Sequence, residues 1–153
     1  GPTKHLFDLY DPWPTNVWLG VTAEDQRRAD ERIPILLSIP ARVRFVSHEP
    51  ALEEIRLPDV GIDWIITGGE SGTSARPYDI RWARTIIAAS KAAGAAVFVK
   101  QLGSRPIVSP AELRRLGFGG LRVDDENGVH LRARNGDDPA EWPEDLRVQE
   151  WPR

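Results

Sequence analysis

Four short apolar runs, residues 17–22, 43–47, 64–67 and 96–100, set the limits on what this chain can fold into. Helical patterning or long loops separate them, so they cannot be the arms of tight hairpins. Short apolar strands that alternate with helices make a parallel sheet. Its crossovers are right-handed and lay helices against the sheet. The expected core is therefore α/β, a four-stranded parallel sheet with flanking helices.

The connecting segments carry their own signals. Residues 23–41 read as a helix with Glu24 and Asp25 in its first turn, where the helix dipole favours acids. Pro34 is expected to kink or restart it. Residues 51–61 read as a loop with one helical turn at most. Residues 77–94 give the clearest helix, with Ile80, Ala83, Ile86, Ile87 and Ser90 on one face. Asp79 is its expected N-cap, and Gly94 ends it. From residue 104 the pattern changes. Ser109 and Pro110 open a short helix that closes at Gly117. Asn127-Gly128, between Val123 and Val129, signals a hairpin. Residues 1–15 read as a tag scar, Gly1-Pro2, followed by a proline-rich lead-in. The division is thus 1–15, 16–103 and a tail, 104–153, packed on the same domain.

Composition removes several classes of function. A chain of 153 residues can bury a real core. Its net charge of -3 is wrong for a general nucleic-acid binder, which needs a basic excess. No apolar run approaches the roughly 20 residues of a membrane span. The cysteine count is 0, so disulfides, thiolate metal sites and a cysteine nucleophile are all excluded. The absence of cysteine fits a cytoplasmic setting.

All four runs end alike, and this is the functional signal. The first ends in Thr22 with Glu24 beyond it. The second ends in Ser47, His48 and Glu49. The third ends in Thr67, Gly68, Gly69 and Glu70, and the fourth in Lys100 and Gln101. In a parallel sheet these ends lie along one edge, where open sheets and barrels bind ligands. Glu24, Glu49, Glu70 and Lys100 are therefore expected to converge. The diglycine is expected to let backbone approach a ligand and to leave amides free to donate. It matches no phosphate-binding fingerprint. His48 with Glu49 and Glu70 is a possible hard-cation set, though one histidine and two acids are also ordinary loop residues. Arg27, Arg28 and Arg32 read as a solvated helix face. The tryptophans read chiefly as core or edge anchors. No Ser-His-Asp arrangement can be assigned from spacing.

The blocks "NVWLGVTAEDQRRADERIPILLSIPARVRFVSHEP" and "GIDWIITGGESGTSARPYDIRWARTIIAASKAAGAAVFVKQLG" resemble an uncharacterised phage and bacterial family known by two phage gene products, thirty-seven and sixty-eight. The closing "GDDPAEWPEDLRVQEWP" resembles that family's C-terminus. The resemblance implies a partial (β/α) barrel of the radical S-adenosylmethionine type, whose N-terminal half carries three cysteines for an iron–sulfur cluster. This chain is similar to the C-terminal half alone, and a cluster needs thiolates that it lacks. No catalytic residue, metal ligand or cofactor is therefore expected of this chain alone. The resemblance leaves two functional classes. One is a phage- or prophage-related half-barrel that binds a host protein or ligand in the bacterial cytoplasm. The other is the second half of a barrel enzyme, supplying the S-adenosylmethionine or substrate side. In that role Glu24, Ser47, Glu49, Gly68, Gly69, Glu70, Arg76 and Lys100 would line the site, the cations pairing with carboxylate or phosphate and the glutamates with amine or ribose hydroxyls. Half a barrel also leaves open sheet edges. The tail's hairpin and tryptophans are expected to cover one edge, and a second copy, in a homodimer, the other.

Overall fold

The computed structural model describes residues 13–116 and 122–153. In chain order they form β1 (Trp18–Thr22), α1 (Gln26–Leu37), β2 (Val43–His48), β3 (Trp64–Gly68), β4 (Tyr78–Asp79), α2 (Ile80–Ala93) and β5 (Ala96–Gln101). Then come β6 (Pro106–Ile107), α3 (Pro110–Leu116), β7 (Arg122–Val123), β8 (Val129–His130) and two short 3-10 turns, Pro139–Glu141 and Glu144–Leu146. The four expected strands make one parallel sheet in the order β1-β2-β3-β5.

Register divides the sheet into two unlike faces. Partners in a parallel ladder point to the same side, and the side alternates along each strand. One face carries Val46, Ile65, Val97 and Val99, all at most 1% exposed. α1 packs on it over β1 and β2, and α2 over β3 and β5. The other face, the inner side of the half-barrel, carries Trp18, Phe45, Trp64, Ile66 and Phe98, and among the described residues no helix packs on it. Trp64 anchors that face, with ring centroids 5.8 Å from Phe45, 6.1 Å from Trp18 and 6.3 Å from Phe98.

α2 forms as its sequence requires. Ile80, Ala83, Ile86, Ile87 and Ser90 are its buried residues. The Asp79 carboxylate accepts from the Arg81 amide at 2.9 Å. Gly94 takes the left-handed conformation at φ 73° and closes the helix. Burying its three isoleucines stabilises the fold by about 1.5–3 kcal/mol each.

α1 departs from expectation twice. Glu24 and Asp25 fall before the helix, and Asp25 caps it by accepting from the Arg28 amide at 2.8 Å. A cap satisfies a free amide directly, which a first-turn acid does only through the dipole. Pro34 neither restarts nor ends the helix, which runs unbroken from Gln26 to Leu37. The proline is exposed, while Ile33 and Leu36 beside it are buried and hold the helix to the sheet. Residues 51–61 contain no helical turn.

The tail forms the expected α3, with a reciprocal cap. Ser109 Oγ accepts from the Glu112 amide and Glu112 Oε2 from the Ser109 amide, each at 3.3 Å. Its expected end at Gly117 lies outside the described residues. β7 and β8 pair antiparallel around Asn127, at φ 62°. The cover over the β5 edge is not this hairpin, which bridges to Ile107 of β6 through Gly128. Residues 148–150 do that work, for the Val99 amide donates to the Val148 carbonyl at 2.8 Å and the Glu150 amide to the Val97 carbonyl at 2.7 Å. Trp64 Nε1 donates to the Glu150 carbonyl, and the Trp151 ring packs 4.7 Å from Trp64 and 5.6 Å from Phe98. The tail thus covers one edge, as expected, but through the backbone of residues 148–150, while Trp151 packs on the inner face. β1 remains at the other edge of the sheet.

Candidate functional site

The site begins with strand register. Thr22 pairs with Ser47, Ser47 with Ile66 and Ile66 with Phe98, so these four form one layer on the inner face. The acids Glu24, Glu49 and Glu70 follow the ends of β1, β2 and β3, and Lys100 is the penultimate residue of β5, where its pairing with β3 shifts register. Each of these four charges has a partner within the chain. Lys100 Nζ lies 2.9 Å from Glu49 Oε1. Glu24 lies 3.1 Å from Arg32 Nη1 and 3.7 Å from Arg28 Nε. Glu70 receives Arg76 as a fork, Nε to Oε2 and Nη2 to Oε1, both at 2.8 Å, and the Arg76 amide adds a third bond at 3.0 Å. Those hydrogen bonds hold the Glu70 carboxyl down at about 2 and raise the Arg76 guanidinium. Glu24 also acts on Arg76 through space, which ties the first strand end to the third. Ser47 is half-buried within the layer beneath.

The diglycine has a packing role. The Gly69 amide donates to the Gln101 carbonyl at 3.1 Å, so it is not free for a ligand. A Cβ at Gly69 would stand 2.4 Å from the Leu102 carbonyl oxygen and 2.9 Å from Tyr78 Cβ. The missing side chain lets the third strand end lie against the chain leaving β5. Gly68 is likewise buried, and its carbonyl accepts from the Ala51 amide at 2.9 Å.

His48 does not join Glu49 and Glu70. Its register partner is Thr67, and the ring is fully buried on the helix side of the sheet. Nε2 lies 3.0 Å from the Glu53 carbonyl, which can only accept, so Nε2 carries the proton. Nδ1 then accepts from the Thr67 hydroxyl at 3.2 Å. Both ring nitrogens are engaged, and burial pulls the imidazole down to about 4. The hard-cation set read from the sequence is thus taken apart by strand alternation. Among the described residues no group of three His, Asp or Glu side chains is arranged to hold a metal. Tyr78 extends the buried group. Its hydroxyl lies near Thr67 without a well-formed hydrogen bond, and burial raises the phenol. Sequence reasoning missed Thr67 as the partner of His48, since nothing local marks a residue 19 positions away as a neighbour.

The carboxyls whose titration is displaced, Glu70 and Asp124, both move down toward the ionised form. A general acid would need the opposite. Fold and rim together define an open, half-barrel-like α/β protein with paired charges along the C-terminal edge of its sheet. Residues 2–137 match the family described as Protein of unknown function (DUF5131), and the chain belongs to that family. No curated protein and no solved structure matches it. Among the described residues no helix is long and apolar enough to cross a membrane.

Proposed function

We propose that this chain is the binding half of a barrel, holding a ligand or the surface of a host protein at its strand-end rim and doing no chemistry alone. One observation carries this reading: the rim acids Glu24, Glu49 and Glu70 are each matched to a cation, and Glu70 is held near 2. Such pairs are poor proton donors and acceptors at neutral pH. They suit recognition of a ligand that carries both signs of charge and can exchange with them bond for bond. The likeness to the phage gene products thirty-seven and sixty-eight supports a phage- or prophage-related origin and action in the bacterial cytoplasm.

A second reading is favoured by the inner face, which is aromatic and, among the described residues, carries no helix beneath the rim. A closed barrel buries such a face. As the C-terminal half of a radical S-adenosylmethionine-type enzyme, the chain would offer Glu49, Lys100 and the Glu70–Arg76 fork to the methionine or substrate end of the ligand. An iron–sulfur cluster does not fit this chain, which has no thiolate.

Calorimetric titration with S-adenosylmethionine separates the readings. Saturable binding that is lost in Lys100→Ala and Glu49→Gln supports the enzyme-half reading. No binding, together with host-protein cross-linking from a photoreactive residue at position 73, supports the partner-binding reading. Turnover of S-adenosylmethionine by the isolated chain refutes the non-catalytic role.

A further inference from the structure

A cavity opens beside the rim. It has a volume of about 450 Å³ and is lined by Gly72 and Thr73 after β3, Gly103 and Ser104 after β5, and residues 130–134 of the tail. Its side-chain chemistry is one-signed: His130, Arg132 and Arg134 line it, and no carboxylate does. Burial alternates through the segment. Val129 is buried, Leu131 and Ala133 are half-buried, and His130, Arg132 and Arg134 are exposed. All three basic residues line the same cavity.

The backbone that carries them is fixed at both ends. Glu141 Oε2 accepts from the Arg132 amide at 2.7 Å. Ser104 Oγ donates to the Arg134 carbonyl at 2.7 Å and accepts from the Gly72 amide at 2.9 Å. The cavity is joined to the rim through the same residue, since the Ser104 amide donates to the Glu70 carbonyl at 2.8 Å. No described ion pair occupies the guanidinium of Arg132 or Arg134, whereas His130 lies 3.5 Å from Asp124. Arginine forks on a held backbone are donors that a phosphate group takes, in the matching planar geometry.

We propose that this cavity is a phosphate subsite, in which Arg132 and Arg134 bind the phosphate of a phosphorylated ligand, with the Thr73 hydroxyl as a neighbour and Ser104 holding the backbone that carries Arg134. Assigning cavity and rim to one ligand rests on the binding role proposed for the rim. The ligand would then be a small phosphate ester whose remaining polar groups reach Lys100, Glu49 and the Glu70–Arg76 fork.

The test is calorimetric titration of the full chain with inorganic phosphate, with acetate as the comparison anion. Saturable phosphate binding in the millimolar range is expected, with acetate weaker. Arg132→Ala and Arg134→Ala should each weaken phosphate by about tenfold. Arg134→Lys should recover part of that loss. Lys91→Ala, which removes an exposed cation on α2 outside both rim and cavity, should leave inorganic phosphate unchanged. Both arginines are exposed, and thermal melts of the variants confirm that they fold. No saturation by phosphate, equal binding of acetate, or insensitivity to both arginine substitutions would overturn the subsite. A rim that fails to bind any ligand while phosphate still binds through Arg132 and Arg134 overturns the rim reading alone.

Discussion

Acid should destabilise this protein first through His48. It is fully buried, its Nε2 holds the Glu53 carbonyl and its Nδ1 takes the Thr67 hydroxyl proton. Burial lowers its folded value from 6.5 to about 4. The unfolded chain therefore takes up this proton more readily than the folded one. Above 6.5 neither state is protonated and stability is intact. Between 6.5 and 4 stability falls as pH falls, with a slope approaching 1.4 kcal/mol per pH unit, and below 4 this contribution levels off. The total loss is about 3 kcal/mol, a large fraction of an ordinary domain's stability. Glu70 acts in a separate window. Its folded value of about 2 lies below the usual 4.5, so its contribution is present above 4.5 and is lost as pH falls from there toward 2. The assay is urea unfolding at a series of pH values from neutral to acid, in wild type and in His48→Gln. Glutamine can donate to the Glu53 carbonyl and accept from Thr67 but does not titrate. Whatever its absolute stability, the variant should lose the slope between 6.5 and 4. A wild-type curve that is flat across this interval, or an equal slope in both proteins, would refute the reasoning.

Other substitutions test packing and the rim. Ile86→Ala should cost about 2–5 kcal/mol in urea unfolding, as for other buried isoleucines. Trp64→Ala removes the ring that links four aromatic neighbours and should cost about 3–5 kcal/mol by the same measurement. Gly69→Ala forces a methyl group against the Leu102 carbonyl and should destabilise by about 1–3 kcal/mol, with a shift in its amide resonances. Lys100→Ala breaks an ion pair in which the lysine is half exposed, so it should change stability by less than about 1 kcal/mol while abolishing rim binding. Ending the chain at Arg147 uncovers the β5 edge and should raise light scattering on concentration. Sedimentation equilibrium of the intact chain should give the mass of a dimer formed on the β1 edge, and a single-chain mass at micromolar concentration rejects it.

Local pattern determined the elements of this protein. The period of 3.6 in Ile80, Ala83, Ile86 and Ile87 marks the face that α2 buries, because side chains one turn apart share a side whatever they later pack against. Asp79 and Gly94 mark its ends, since capping is a short-range interaction. Four apolar runs separated by crossovers required a parallel sheet, and a parallel sheet gathers its C-terminal ends. That is why Glu24, Glu49, Glu70 and Lys100 could be named together from sequence. Tertiary structure decided which side each neighbour faces and what it meets there. Ser47 and His48 are adjacent, and until β2 is paired with β3 nothing says which of them turns to the inner face. Register sends His48 among the helices and so withdraws it from the rim. Pairings across long separations were equally hidden: Val148 and Glu150 reach β5 some 50 residues back, and Gly69 is small because Leu102 passes over it. Periodicity reports only the few residues within one turn or one pleat, whereas edges and buried polar groups are settled by whichever distant segment satisfies their hydrogen bonds.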